Sequence, residues 1–150
     1  MTPDRSMALR SFLFLHALCG RKRRNRLRVA FMLILFGSLG TLARYGLQGV
    51  VQDRTGSQFP TGTLAVNLVG CFLLGGIGQY SLAHISVPPD WRVGLTVGFF
   101  GAFTTFSTFS WETVHLLDDG DWVRALLYAG LSFLGGLFLL KLGMRLASRF

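Results

Sequence analysis

The sequence predicts an all-α membrane protein with four transmembrane helices, and two observations carry this prediction. The 150-residue chain is 51% hydrophobic and 15% charged, whereas soluble domains carry about 25% charged residues. Four apolar runs, each near the roughly 20 residues that a spanning helix needs, are separated by charges and turn-forming residues. The two cysteines, Cys19 and Cys71, are too few for a disulfide framework or a zinc cluster.

The first two predicted spans are bounded by charges and turn formers. The first span covers 29–51 and stops just before Asp53. The second span covers 62–84, is entered through Pro60 and is left through 86–90. Proline cannot continue a helix in these positions, so both boundaries of the second span are well marked.

The third and fourth predicted spans follow in the same way. The third covers 91–117 and stops at the acidic turn 118–121, and the fourth covers 122–144. Arg124 and Lys141 lie near the ends of the fourth span, where long basic side chains reach the interface. The connecting loops are short, which predicts antiparallel neighbours and leaves no room for a soluble domain.

The third span is predicted to be broken in mid-membrane. Gly98, Gly101 and the paired threonines at 104–105 all weaken a helix that is otherwise strongly apolar. Broken membrane helices expose backbone carbonyls, and free carbonyls bind cations.

Residues 1–28 form a separate basic arm in this interpretation, and residues 29–150 form the transmembrane domain. The arm carries eight basic residues and one acidic residue, while the rest of the chain carries seven and six. Because the body is nearly balanced, no nucleic-acid partner is expected. A poor match to a signal peptide favours a disordered or surface-lying arm, or a start that is too early. A basic run beside a span is most often a topology signal.

Polar residues inside the predicted spans are the candidate functional residues, because polar groups are costly in hydrocarbon. They comprise Asn67, the hydroxyls of Thr104, Thr105, Ser107, Thr108 and Ser110, and the pair Tyr128 and Ser132. Amide and hydroxyl donors and the positive edges of aromatic rings suit a small anion. Glu112 and His115 lie near the end of the third span, where both a solvated and a paired state stay open.

Each candidate also has a structural interpretation. Phe106 and Phe109, spaced i and i+3, are typical of simple helix packing, and membrane hydroxyls often bond to their own helix backbone. Asn67 is equally consistent with a helix-to-helix hydrogen bond. Arg44 is either an anchor at the interface or an anion-attracting charge.

Three motifs resemble the CrcB, or Fluc, family of small fluoride channels, over residues 36–143. The first helix contains Gly-x-x-Gly-x-x-x-Arg-Tyr at 37–45. The second contains Pro-x-Gly-Thr-Leu-x-x-Asn-x-x-Gly at 60–70. The third contains Gly-Phe-x-Gly-x-x-Thr-Thr-Phe-Ser-Thr-Phe at 98–109, which is highly specific for this family.

The resemblance implies a role for each matching residue. Phe106 and Phe109 would be the fluoride-coordinating rings and Asn67 the amide donor. The backbone of Gly101 and Thr104 would hold a structural sodium ion, Na+, at the dimer centre. A polar track along the pore would consist of Thr63, Ser107, Thr108, Tyr128 and Ser132.

The resemblance also implies an antiparallel, dual-topology homodimer with two pores in a bacterial plasma or inner membrane. Such a channel exports fluoride passively and so lowers its toxicity, since fluoride enters as the neutral acid and ionises in the cytoplasm. The basic arm departs from this pattern, because it biases the chain towards one orientation. The alternatives are a proton-coupled anion exporter and a non-conducting membrane scaffold. An enzyme is not expected, because no nucleophile with an adjacent base and no phosphate-binding loop is present.

Overall fold

The computed structural model describes residues 5–83 and 87–149, with side chains described for 26–81 and 87–149. Within these ranges the chain is helical and contains no strand. The elements, in chain order, are α1 (Arg5–Thr55), α2 (Thr61–Ala83), α3 (Pro89–Val93), a π-helical segment (Gly94–Phe99), α4 (Phe100–Phe103), α5 (Phe106–Asp118), α6 (Trp122–Gly130), a second π-helical segment (Leu131–Gly135) and α7 (Gly136–Ala147).

Four stretches are long and apolar enough to cross a membrane, which confirms the four predicted spans. They are Arg26–Thr55, Thr61–Ser81, Pro89–Asp118 and Trp122–Ala147. The third span comprises α3 to α5, and the fourth comprises α6 and α7. The predicted arm, 1–28, falls largely outside the residues whose side chains are described, so its role stays a prediction.

The first span ends later than the hydropathy predicts because a side chain closes the turn that follows it. Nε2 of Gln52 donates a hydrogen bond to the carbonyl of Phe59 at 3.2 Å, and Oε1 accepts one from the backbone N–H of Gly62 at 3.0 Å. Gly56 allows the turn itself, since its φ of +54° lies in the left-handed region. The helix therefore continues to Thr55.

The third span leaves the helical conformation at its two threonines. Thr104 has φ −82° and ψ 156°, and Thr105 has φ −145° and ψ 110°. β-Branched residues adopt such extended angles readily. Gly98, by contrast, is buried in the π-helical segment, where a Cβ would lie 3.1 Å from the Cβ of Phe36. That glycine serves the close approach of α1 to the third span.

The most extensive helix contact joins α2 to α7. A Cβ on Gly75 would overlap the carbonyl oxygen of Leu140, and a Cβ on Gly143 would overlap that of Phe72. Small residues at both crossing points let the two backbones touch, as is common between membrane helices. This contact fixes α2 and the fourth span as one unit, and the candidate site lies on the side of α2 that faces α5.

Candidate functional site

Asn67 on α2 holds the non-helical residues of the third span in place. Its Nδ2 donates to the carbonyl of Thr105 at 3.2 Å, and the backbone N–H of Thr105 donates to its Oδ1 at 2.9 Å. In a continuous helix that N–H would bond to the carbonyl of Gly101. The amide of Asn67 therefore replaces a helical hydrogen bond, and its second N–H is left for another acceptor.

Thr105 also begins the helix α5 as its N-cap. Its Oγ1 accepts a hydrogen bond from the backbone N–H of Thr108 at 3.2 Å and donates to Oγ1 of Thr108 at 2.9 Å. The hydroxyl of Ser107 lies 3.4 Å from the same oxygen. Ser107 and Thr108 are thus engaged, in part, in local capping rather than pointing freely along a track.

The carbonyls of Gly101 and Thr104 fit the sodium site that the resemblance implies. The N–H that would pair with the carbonyl of Gly101 bonds to Asn67, and the N–H that would pair with Thr104 bonds to Thr105. Gly101 is exposed, and apart from the adjoining backbone no atom of the described residues lies within 4 Å of the place where its Cβ would be. Two carbonyl oxygens without their helical donors are suitable ligands for a hard cation.

A cavity of about 250 Å³, here called the inner cavity, adjoins these residues. Its lining residues are Asn67, Cys71, Leu74, Thr104, Thr105, Phe106, Phe109, Ser132 and Phe133. None of these side chains is charged. Oγ of Ser132 is buried and has no hydrogen-bond partner among the described residues. An unpartnered buried hydroxyl is unusual and is available to a ligand.

A series of aromatic rings leads away from the inner cavity. The ring centroids of Phe106 and Phe109 are 5.6 Å apart, and those of Phe109 and Tyr128 are 5.2 Å apart. Phe106 is 80% exposed, whereas Tyr128 is fully buried at 0%. The predicted ring pair therefore lies together, with one ring open to the outside of the chain.

A polar network lies at the end of this series that is farther from the inner cavity, at Tyr128. Oγ1 of Thr63 donates to Oε1 of Glu112 at 2.8 Å, and the hydroxyl of Tyr128 donates to Oε2 at 2.7 Å. Nε2 of Gln48 donates to Oγ1 of Thr63 at 3.2 Å. The sequence left open whether Glu112 is solvated or paired, and in the structure it is paired with these two hydroxyls.

Glu112 also lines a second, wider cavity of about 840 Å³ between the C-terminal parts of α1 and α5, here called the outer cavity. Gln48, Trp111 and His115 are among its other lining residues. Glu112 and its hydroxyl partners thus lie between the outer cavity and the aromatic series. Arg44 is half-buried one turn before Gln48 and lines neither cavity.

Sequence reasoning missed Gln48 and Cys71, and it named Thr63 and Tyr128 without pairing them with Glu112. One signal was present, because Thr105, Phe109 and Glu112 follow at spacings of four and three and so share a face of α5. That face carries both the candidate ring and the carboxylate.

The comparison with known families agrees with this architecture. The family model described as "CrcB-like protein, Camphor Resistance (CrcB)" matches residues 31–144. Among similar proteins is the fluoride-specific ion channel FluC of Nitratidesulfovibrio vulgaris (strain DSM 19637 / Miyazaki F). It is 50% identical over 113 residues, which are 75% of this chain and 91% of that protein.

Two further relatives carry the same name. FluC of Geobacter metallireducens is 55% identical over 91 residues, covering 61% of this chain and 73% of the relative. FluC of Acidobacterium capsulatum is 43% identical over 115 residues, covering 77% and 92%. With four spans, a family match over most of its length and such relatives, the chain belongs to the CrcB-like family of multi-pass bacterial membrane proteins, which are ion channels and not enzymes.

Proposed function

We propose that this protein is a passive, fluoride-selective channel that exports cytoplasmic fluoride and so lowers its toxicity. The observation that carries the proposal is the lining of the inner cavity, which offers hydrogen-bond donors and ring edges and no charged side chain. A small, strongly hydrated anion crosses a membrane only where such groups replace its water. The names of the relatives support fluoride as that anion.

Individual residues take distinct roles in this proposal. The unpartnered hydroxyl of Ser132 and the second N–H of Asn67 donate to the ion. The positive edges of Phe106 and Phe109 surround it. Thr63 and Tyr128 supply the next hydroxyls on the way to the outer cavity, and Arg44 draws anions towards the protein from its place on α1.

The interruption at 104–105 lies in mid-membrane in this proposal and gives the site its cation. The carbonyls of Gly101 and Thr104 would hold sodium there, because their helical N–H partners are bonded elsewhere. When bound, the ion supplies a fixed positive charge that offsets part of the anion's desolvation.

A second copy of the chain completes the pore in this proposal. Phe106 is 80% exposed and Gly101 is also exposed, so one side of the candidate site is open in a single chain. An antiparallel homodimer would cover it and bring two sodium-binding segments together. The nearly balanced charges of residues 29–150 permit insertion in both orientations.

Fluoride efflux from liposomes tests the proposal. The purified protein is reconstituted, a potassium ionophore compensates charge, and a fluoride electrode records release, with chloride release as the control. We expect rapid fluoride release that requires the ionophore, with little chloride release. Release that follows an imposed pH gradient would instead favour proton-coupled export. A folded, dimeric protein without release would favour the scaffold.

A further inference from the structure

The outer cavity lies at a membrane surface. It is lined by the C-terminal parts of α1 and α5, and the spans that contain these helices end at Thr55 and Asp118. At about 840 Å³ it has room for many water molecules. In the proposed pathway, fluoride crosses this cavity with its water before or after it meets the aromatic rings.

The charges that line the outer cavity are unfavourable to an anion. Asp53, Glu112 and Asp119 all line it, and carboxylates repel an anion that approaches. Arg44 lines neither cavity. Among the described lining residues, His115 alone has a side chain that can carry a positive charge. The electrostatic potential in the cavity therefore depends on the protonation of one imidazole.

His115 is held in this lining by a neighbouring ring on the same helix. The ring centroids of Trp111 and His115 are 4.5 Å apart, with an angle of 82° between the ring planes. His115 is exposed, so its ring can exchange protons with water. Histidine is the side chain that ordinarily changes its charge between about pH 5 and pH 8.

The titratable groups that share the cavity with His115 come from both helices. On α5 they are Glu112, three residues earlier, and Asp119, four residues later, and these spacings place all three on one helix face. On α1 they are Asp53 and Tyr45. A proton on His115 thus adds a positive charge next to two of the carboxylates that repel the anion.

We propose that His115 is the anion-attracting residue of the outer cavity and that its protonation speeds fluoride conduction. With a neutral ring, the carboxylates keep the local fluoride concentration low. A protonated ring cancels one of these charges, and at about 6 Å in water one unit charge changes the local anion concentration roughly threefold. Conduction is then fastest in acid, where most fluoride enters a cell as the neutral acid. This inference rests on the proposed function.

The test records fluoride current through the full chain in a planar bilayer at about pH 6 and about pH 8, within the range where histidine changes its charge. The pH is equal on both sides, so no proton gradient drives transport. Current is the suitable readout because the neutral acid crosses lipid without carrying charge. We expect the wild-type current to be about threefold larger at the lower pH.

Two substitutions fix the charge of this residue. His115→Gln stays neutral and should carry the smaller current at both pH values, whereas His115→Arg stays positive and should carry the larger current at both. The other two histidines, His16 and His84, remain in every variant.

Asp118→Asn is the matched control on the same helix. It also makes the charge of α5 more positive by one unit, but Asp118 is exposed and lines neither cavity. We expect it to keep the wild-type current and its pH dependence. A wild-type current that is independent of pH, or a pH dependence that persists in folded His115→Gln, overturns the role of His115 and leaves the channel proposal standing. Wild-type protein that carries no current at either pH overturns both.

Discussion

Two faces of the helix α2 are built in opposite ways. Towards α7 it packs through glycine, so that the backbone of Gly75 touches that of Leu140 and no side chain intervenes. Towards α5 it presents Asn67, which bonds to the backbone of Thr105 beside a cavity of about 250 Å³. The first face brings two backbones into direct contact at its glycines, and the groove beside that contact is almost wholly apolar. The second face is held by polar bonds to the non-helical residues of the third span. The comparison separates a contact that serves packing from one that serves the candidate site.

The largest expected effect is a loss of stability, and it comes from adding a side chain at the glycine contact between α2 and α7. Gly75→Ala places a Cβ against the carbonyl of Leu140, and backbone cannot move aside as a flexible side chain can. We expect the free energy of unfolding to fall by about 3 kcal/mol or more, with loss of monodisperse protein in detergent.

Gly78→Ala is the matched control on the same helix. The nearest atom to its Cβ would be Cδ1 of Leu74 at 3.8 Å, an ordinary contact. We expect its unfolding temperature to equal or exceed that of the wild type, because alanine has a higher helix propensity than glycine. If the two variants lost the same amount of stability, the close backbone contact at Gly75 would not be what stabilises this face of α2.

The next effect is functional and concerns the polar face. Phe109→Ile removes the ring that lies between Phe106 and Tyr128, and with it the positive edges that face the ion. We expect fluoride release to be abolished while the assembled protein remains. Phe138→Ile removes an exposed ring on α7 that lines neither cavity and should conduct normally. Normal flux through Phe109→Ile would exclude this ring from the pathway.

Asn67→Asp separates the two roles proposed for that amide, which are to hold the backbone of Thr105 and to donate a hydrogen bond to the anion. The carboxylate still accepts from the N–H of Thr105, but it cannot donate to the carbonyl or to the anion, and it adds a negative charge beside the cavity. We expect folded protein whose fluoride release is at least about tenfold slower, equivalent to about 1.4 kcal/mol. Gln79→Glu makes the same chemical change outside the cavity. Comparable slowing in that control would point to a general charge effect.

The smallest effect should come from a helix cap remote from both faces. Oδ1 of Asp121 accepts from the backbone N–H of Arg124 at 3.3 Å, and Oδ2 lies 3.2 Å from its guanidinium. Asp121→Ala should lower the free energy of unfolding by about 1 kcal/mol without altering flux. Asp121→Asn keeps the cap and loses only an exposed ion pair, so it should melt near the wild-type temperature. If Asp121→Asn lost more unfolding free energy than Asp121→Ala, the assignment of Asp121 as a helix cap would be wrong.

The four spans could be predicted because apolar length alone decides whether a helix can cross a membrane. The end of α1 could not be predicted, since it depends on the hydrogen bonds of Gln52 to the following turn. For the third span, the glycines and threonines indicated a weak helix. That the chain leaves the helix at Thr105 depends on a bond from Asn67 on another helix.

The same distinction applies to the candidate site. The ring pair on α5 follows from spacing within one helix, and the rings do lie together. The network of Glu112 with Thr63 and Tyr128 joins three helices, so no local pattern could reveal it. Sequence reasoning therefore found residues that share a helix face and missed partnerships that only packing creates.

Passive, selective conduction can be measured as the reversal potential of the current in a planar bilayer. Fluoride and chloride are given opposed gradients, with equal cations and equal pH on the two sides. We expect a current that reverses near the equilibrium potential of fluoride and that is absent in Phe109→Ile. A reversal near the chloride potential, or no current from folded dimeric protein, would contradict it.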